Sequence, residues 1–175
     1  MDTLSLVKPG EQYLQQIAGY RQEFLDADSS MDGCGPLRRF ENPMDWLLQI
    51  EAMSHLETLP DDKVLSTQFL CVRSEDNRLV GMIQVRHYFN DYLEKYAGHI
   101  GYSVRPSERR KGYASWMLRE VLPYCRSLGL DKVLVACLDT NPASRKVILS
   151  NGGIYESTVD EPDKDVNLER YWITL

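Results

Sequence analysis

No apolar run in this chain approaches the roughly 20 residues that a membrane-spanning helix takes, so no membrane segment is expected. The first residues, Met1-Asp2-Thr3-Leu4, lack the basic-then-apolar order of a secretory signal. Basic residues are also short: 20 Lys and Arg against 26 Asp and Glu give a net charge of -6 and a pI near 5.1. That weighs against a nucleic-acid binder, which needs a basic face to displace counterions. It suits a cationic partner such as an amine, and equally suits plain solubility. The four cysteines, Cys34, Cys71, Cys125 and Cys137, form no CxxC pair and no Cys/His cluster with metal spacing. A reduced, cytoplasmic protein without a metal is the expectation. Linkers rich in Gly, Ser or Pro, internal repeats and low-complexity tracts are missing too, so the 175 residues read as one domain, 1–175.

Periodicity supplies the elements. Leu4–Lys8 reads as a short strand ended by Pro9-Gly10. Glu11–Asp26 has Leu14, Ile17, Ala18, Phe24 and Leu25 at helical spacing. Residues 28–36 form a loop. Asn42-Pro43 opens a second helix as N-cap and first residue, continued by Trp46, Leu47, Ile50, Met53 and Leu56. Thr67–Arg73 and Leu79–Phe89 read as a hairpin around residues 74–78, and His99–Val104 as a further strand. Gly112–Leu128 is an amphipathic helix in which Pro123 should produce a kink or a loosened turn. Lys132–Leu138 is apolar enough for a strand covered on both faces. Pro142–Ser150 is a short helix, and Ile154–Val159 and Leu168–Ile173 close the chain as strands. Together these predict an α/β protein with a mixed sheet and helices on its faces.

The segment Gly98-His-Ile-Gly-Tyr-Ser-Val-Arg-Pro-Ser-Glu-Arg-Arg-Lys-Gly-Tyr-Ala-Ser115 carries the chemistry. A strand runs into a basic turn that opens a helix at a glycine. The first amides of a helix have no internal partner and carry the positive end of its dipole. A glycine there admits a phosphate close to the backbone. Arg109, Arg110 and Lys111 raise the local potential, and the Gly-Lys-Ser/Thr of a P-loop is absent. An ordinary strand–turn–helix with solvated arginines has the same letters, and the physics alone leaves that open.

Arg109-x-x-Gly112-x-Ala114 after a strand ending in Val104 resembles the acetyl-CoA signature of GNAT acetyltransferases, Gln/Arg-x-x-Gly-x-Gly/Ala. The run Lys132–Asn141 followed by Pro142-Ala-Ser-Arg-Lys-Val-Ile-Leu-Ser-Asn-Gly-Gly153 is similar to the family's next block, and the order of the elements agrees from Leu4 to Leu175. The resemblance implies the GNAT acyl-CoA N-acyltransferase fold, a mostly antiparallel mixed sheet with a central parallel strand pair that splays after a bulge in its first strand. It implies acetyl-CoA as cofactor, with the diphosphate on the amides of Arg110, Lys111, Gly112, Tyr113, Ala114 and Ser115, beside Arg109. The pantetheine arm would lie between Tyr102–Val104 and the second strand of the pair, and Asn141, Ser144 and Arg145 would line it. The implied reaction is direct acetyl transfer to a primary amine of a small molecule or peptide in a ternary complex. Residues 85–93 with the following Gly98-His-Ile-Gly-Tyr102 are also similar to a bacterial GNAT subgroup, a likeness that implies no substrate. Nucleic acid and membrane are not implied partners, and a homodimer through the closing strands is left open.

Such a transfer needs a neutral amine, stabilisation of the oxyanion and a proton for the thiolate. Where many family members carry a Tyr acid on the short helix, this chain has Ile148; Tyr155 is the nearest substitute, with core packing as its alternative. Ile148 equally suits a non-catalytic acyl-CoA sensor. His99 titrates in the useful range and stands beside Gly98, where some members carry Glu, so it is the candidate base, or else a packed strand histidine. Arg86 and His87 point to opposite faces, so at most one enters the cleft; His87, with Asp91 and Glu94 in the loop beyond, is the candidate for holding substrate. Cys34 is the only cysteine placed where a nucleophile could sit. Acceptor selection falls to residues 28–40 and 43–57, where Asp32, Arg38, Arg39, Glu41 and Asp45 offer both signs of charge and Phe40 and Trp46 either line a pocket or fill the core.

Overall fold

The computed structural model describes residues 2–175 and contains one seven-stranded sheet. In chain order the elements are β1 (Leu4–Val7), α1 (Leu14–Asp26), α2 (Pro43–Ala52), β2 (Ser66–Arg73), β3 (Arg78–Arg86), β4 (Ile100–Val104), α3 (Tyr113–Ser127), β5 (Lys132–Leu138), α4 (Pro142–Ser150), β6 (Ile154–Glu161) and β7 (Val166–Thr174). The sheet order is β1-β2-β3-β4-β5-β7-β6, antiparallel throughout except at β4 and β5. This is the mixed α/β architecture expected. No described helix is long and apolar enough to cross a membrane.

Two apolar layers hold it together. On one face Ile17, Tyr20 and Phe24 of α1 and Trp46, Leu47 and Ile50 of α2 pack on Leu70, Val72, Leu79 and Met82. On the other, Met117, Leu118, Val121 and Cys125 of α3 and Ile148 of α4 pack on Val80, Ile83, Val85, Ile100, Val133 and Val135. Full burial of one such aliphatic or aromatic side chain stabilises by about 1.5–3 kcal/mol. Trp46 is fully buried and donates its indole N–H to the Cys34 carbonyl at 2.7 Å, so it is core, not pocket lining.

The sequence signals hold at most element ends. Asn42 caps α2, its side chain accepting from the Met44 N–H at 3.0 Å, with Pro43 in the first turn. Pro123 does not break α3. It sits on the exposed face, where water takes the carbonyl that its missing N–H would have served. The strand expected over Leu79–Phe89 stops at Arg86, and residues 93–97 form a wide helical turn begun by Asn90, whose side chain accepts from the Leu93 N–H at 2.9 Å.

β4 and β5 share one register pair, Ile100 with Val135, and then part. Gly98 bridges Val135 just before β4, so the pair is pinned at one end and open at the other. The bulge expected in the first strand of this pair is absent: β3 and β4 keep an unbroken register from Gly81–Val104 to Val85–Ile100. Register shifts lie instead between β2 and β3, at Cys71 and Val72, and between β6 and β7, at Tyr155 and Ser157.

Candidate functional site

At the open end of β4 the chain makes a single 3-10 turn at Pro106–Glu108 and then two left-handed residues, Arg110 (φ 63) and Gly112 (φ 82), before α3. Left-handed backbone is costly for most residues and free for glycine. Among the described residues, none of the main-chain N–H groups of Arg110, Lys111, Gly112, Tyr113, Ala114 and Ser115 has a protein acceptor; the first bond of the helix is Trp116 N–H to the Gly112 carbonyl at 3.0 Å. A Cβ added to Gly112 would meet nothing within 4 Å, so the space above it is open. Free donors around alternating backbone signs make an anion-binding concavity.

Beneath the turn, Glu108 is 5% exposed. It takes Arg73 at 2.8 Å and Lys111 at 2.7 Å, while Arg78 Nε lies 2.9 Å away but out of hydrogen-bonding line. Burial pushes the Glu108 carboxyl up, and the bonds from Lys111 and Arg73 more than offset it, leaving its pKa below the ordinary value. Arg109 reaches back to the Val104 carbonyl at 3.2 Å and the Ser29 hydroxyl at 2.8 Å, tying the loop at 28–36 to the turn. Of the three basic side chains, then, Lys111 and Arg109 brace the backbone and Arg110 is left exposed to an incoming anion. Arg105 is buried against Glu23 at 3.1 Å and the Leu79 carbonyl, so it presents no charge outward. We expect Glu108→Gln to lower stability by about 1–2 kcal/mol at pH 7, because it removes the buried carboxylate that Arg73, Arg78 and Lys111 share, while those cations keep some access to water and Arg73 keeps Asp76. The contribution of a depressed carboxylate is complete above its unfolded pKa and is lost as pH falls through the folded one. Melting curves of both proteins should therefore converge below about pH 4; a constant difference down to pH 3 would deny the ion cluster its role.

The gap between β4 and β5 is crossed by one side-chain contact: the Tyr102 hydroxyl lies 2.7 Å from Ser144 Oγ at the start of α4. Asn141 caps that helix, its Oδ1 accepting from the Ser144 N–H at 3.1 Å. Arg145 is held by Glu169 of β7 through two bonds of 2.7 Å and by the Asp139 carbonyl at 2.8 Å. Val104, Tyr102, the turn at 109–115 and the start of α4 thus border the open end of the gap, the trough between β4 and β5. A hollow of about 270 Å³ farther along β5, walled by Asp139, Asp160 and Asp165, is acidic and unsuited to a diphosphate.

His99 lies at the closed end of the gap and is 5% exposed. Its Nδ1 accepts from the Leu134 N–H at 2.9 Å, its own N–H donates to the Leu134 carbonyl at 2.8 Å, and Phe89 stacks on it at 4.0 Å. Burial pushes its pKa down to about 4, helped by the nearby Arg86 charge. The nitrogen lone pair that a base would use is already taken. Tyr155 is on β6, with β7 between it and β5, roughly 10 Å from the gap at two strand spacings. It is exposed and pairs with Thr158 Oγ1 at 2.8 Å, so it does not join the trough. Ile148 is fully buried core. Cys34 is fully buried and burial raises its pKa, which removes it as a nucleophile.

The alternation at 86 and 87 resolves in favour of Arg86. His87 faces α3, with its ring nitrogen 2.8 Å from Thr67 Oγ1, which in turn bonds Tyr124; burial lowers its pKa. Arg86 faces the α2 side and lines a cavity of about 180 Å³ with Ser66, Gln84, Asn90 and Tyr92. Asp91 and Glu94 are exposed, and it is their neighbours Asn90 and Tyr92 that reach the cavity. The parity of β3 follows from the shift near Val80, which leaves no mark in the residue pattern.

The family model described as the acetyltransferase (GNAT) family matches residues 38–152. No curated protein matches the sequence. Among solved structures, RimL, a ribosomal L7/L12 alpha-N-protein acetyltransferase in complex with coenzyme A, superposes with a TM-score of 0.74 at 16% identity, over 99% of this chain and 94% of that one. A ribosomal-protein-S5-alanine acetyltransferase from Vibrio fischeri gives 0.73 at 16% identity, over 98% and 91%. The microcin C7 self-immunity acetyltransferase MccE, in complex with acetyl-CoA and AMP, gives 0.71 at 17% identity, over 100% and 94%. Identities this low speak to the fold.

Proposed function

The chain belongs to the GNAT acetyltransferase family, and from that premise we propose that residues 1–175 form a single domain that moves an acetyl group from acetyl-CoA to a primary amine. One observation carries the reading: six consecutive main-chain N–H groups, from Arg110 to Ser115, are without protein acceptors at the mouth of the β4–β5 gap. They would hold the diphosphate, with Arg109 and Lys111 bracing the turn from behind and Arg110 adding charge. The pantetheine arm would follow the gap past Val104 and Tyr102, with Asn141, Ser144 and Arg145 on its other wall, and bring the thioester toward Ile100 and His99. Two solved relatives of the fold were captured with coenzyme A or acetyl-CoA.

In the ternary complex the amine nitrogen attacks the thioester carbonyl carbon, the C–S bond breaks, the new amide loses one proton and the thiolate takes one. No enzyme thiol takes part. Thioesters are already activated, so holding both partners in line supplies much of the rate. The acetyl acceptor would come from the α2 side, where Arg86 reaches the Ala97 and Gly98 carbonyls at the closed end of the gap. For the sulfur's proton we assign the Tyr102–Ser144 hydroxyl pair, the donors that span the gap, in place of Ile148 and Tyr155. Burial raises the Tyr102 pKa, so the phenol is not left ionised: it passes its proton to sulfur as it takes one from the Ser144 hydroxyl, which is re-protonated by solvent.

The buried Ile148 also favours a second reading, an acyl-CoA sensor that does not turn over. Calorimetry with coenzyme A and thiol release from acetyl-CoA over an amine panel separate the two. We expect binding, and turnover with at least one amine. Binding without turnover on any amine would leave the sensor, and no binding would end both.

A further inference from the structure

The 180 Å³ cavity under α2 is built for an anion, although the expected substrate is an amine. Arg86 and Gln84 project from the same face of β3, and Ser66 stands opposite Arg86 in the register of β2. The Arg86 guanidinium spends only two weak bonds on protein, to the Ala97 carbonyl at 3.2 Å and the Gly98 carbonyl at 3.4 Å. Among the described residues no carboxylate lies within 4 Å of it. Asp32 acts on it only through space, and burial pulls its pKa down, the sign of a cation whose hydration has been removed without replacement. Ser66 is 3% exposed and its hydroxyl bonds no described residue. Gln84 is also 3% exposed, and its Nε2 has no protein acceptor. The other charges on the cavity wall, Asp62 and Lys63, neutralise each other at 2.7 Å.

A half-buried guanidinium, a hydroxyl and a carboxamide, all short of acceptors, call for a ligand that brings oxygen lone pairs and one negative charge. The carbonyls that hold Arg86 belong to residues 97 and 98, immediately before the closed end of the gap where the thioester would lie. An acceptor bound there presents its amine to the thioester only if its anionic group is a short chain away. We propose that the acceptor is a small amino carboxylate, its carboxylate seated on Arg86 with Ser66 and Gln84 beside it. This rests on the acetyltransferase reading and names the substrate class for the same site.

The test uses the whole protein, acetyl-CoA, and matched probes: the standard free amino acids, β-alanine and γ-aminobutyrate, the carboxamide of each, dipeptides, and the polyamines spermidine and putrescine. We expect at least one free acid to be acetylated with kcat/KM about 100-fold above its own amide, as a site built to pair a polar group rejects the analogue lacking it. Dipeptides accepted as well as free acids would place the carboxylate at a peptide C-terminus, still on Arg86. Arg86→Met should abolish that ratio, lowering the rate on the acid about 100-fold more than the rate on the amide, with coenzyme A affinity unchanged. Gln84→Met, which disturbs no bond to residues 97 and 98, should lower the acid's rate about tenfold and keep the acid preferred over the amide. If coenzyme A binds and amides or polyamines are turned over as well as acids, the proposal falls while the acetyltransferase reading stands. It falls equally if no acid is accepted, or if Arg86→Met slows acid and amide alike, which would put the guanidinium on the thioester. Failure to bind coenzyme A would instead remove the premise.

Discussion

Gly112→Asp should leave the protein folded and unable to hold coenzyme A. Nothing stands within 4 Å of the added Cβ, so no clash opposes folding. The backbone there is left-handed (φ 82), which aspartate tolerates better than most residues, at about 1 kcal/mol. The carboxylate, however, fills the open space above the free amides and sets a negative charge where the diphosphate must come. Charge-assisted bonds are worth roughly 1.5–3 kcal/mol each, so losing two weakens binding on the order of 100- to 1,000-fold or more. Gly112→Asn has the same shape without the charge and should weaken binding only about tenfold. Calorimetry with coenzyme A reads both, and circular dichroism checks the fold. A Gly112→Asp protein that binds as tightly as the parent would show that the diphosphate sits elsewhere.

His99→Ala should slow turnover at least about tenfold while His99→Asn restores most of the rate. The reason is positional. The imidazole supplies an acceptor to the Leu134 N–H, and the Oδ1 of asparagine occupies much the same place as Nδ1. Alanine leaves that buried N–H unpaired and opens a void against Phe89, a loss of about 2–3 kcal/mol in stability. A base would behave otherwise: asparagine would be as inactive as alanine, and a limb of the rate profile at the histidine's folded pKa of about 4 would vanish with it. Linkage gives an independent check. With a folded pKa of about 4 the ring stays neutral, while the unfolded chain takes a proton near pH 6.5. Stability from this group is therefore full above pH 6.5 and declines toward pH 4, by on the order of 3 kcal/mol. Both variants should lose that slope.

Much of this could be read from residues alone, for physical reasons that differ by segment. The turn at 109–115 is legible because a glycine that opens a helix after a strand leaves few other backbones open to it. Asn42-Pro43 announces α2 through capping chemistry that acts within four residues. The turn at 93–97 is hidden because its cap, Asn90, follows the apolar run from Leu79, and nothing in that run marks the strand's end before Phe89. The exchange of His87 for Arg86 has a longer-range cause. Alternation says that the two point oppositely, but which faces the cavity depends on the irregularity where Cys71 and Val72 meet Gly81 and Leu79. That irregularity comes from pairing between strands, and no local pattern records it. The distance of Tyr155 from the gap has the same kind of cause, since β7 inserts itself between β5 and β6.

Because β4 and β5 are joined only at their closed end, by the Gly98–Val135 and Ile100–Val135 bridges and the His99–Leu134 bonds beside them, the sheet is two plates, four strands and three strands, sewn along one short edge. Widening the wedge between them breaks few strand bonds but shears the layer under α3, which rests on both plates, so the contacts of α3 rather than the strand ladder resist an acyl group bulkier than acetyl.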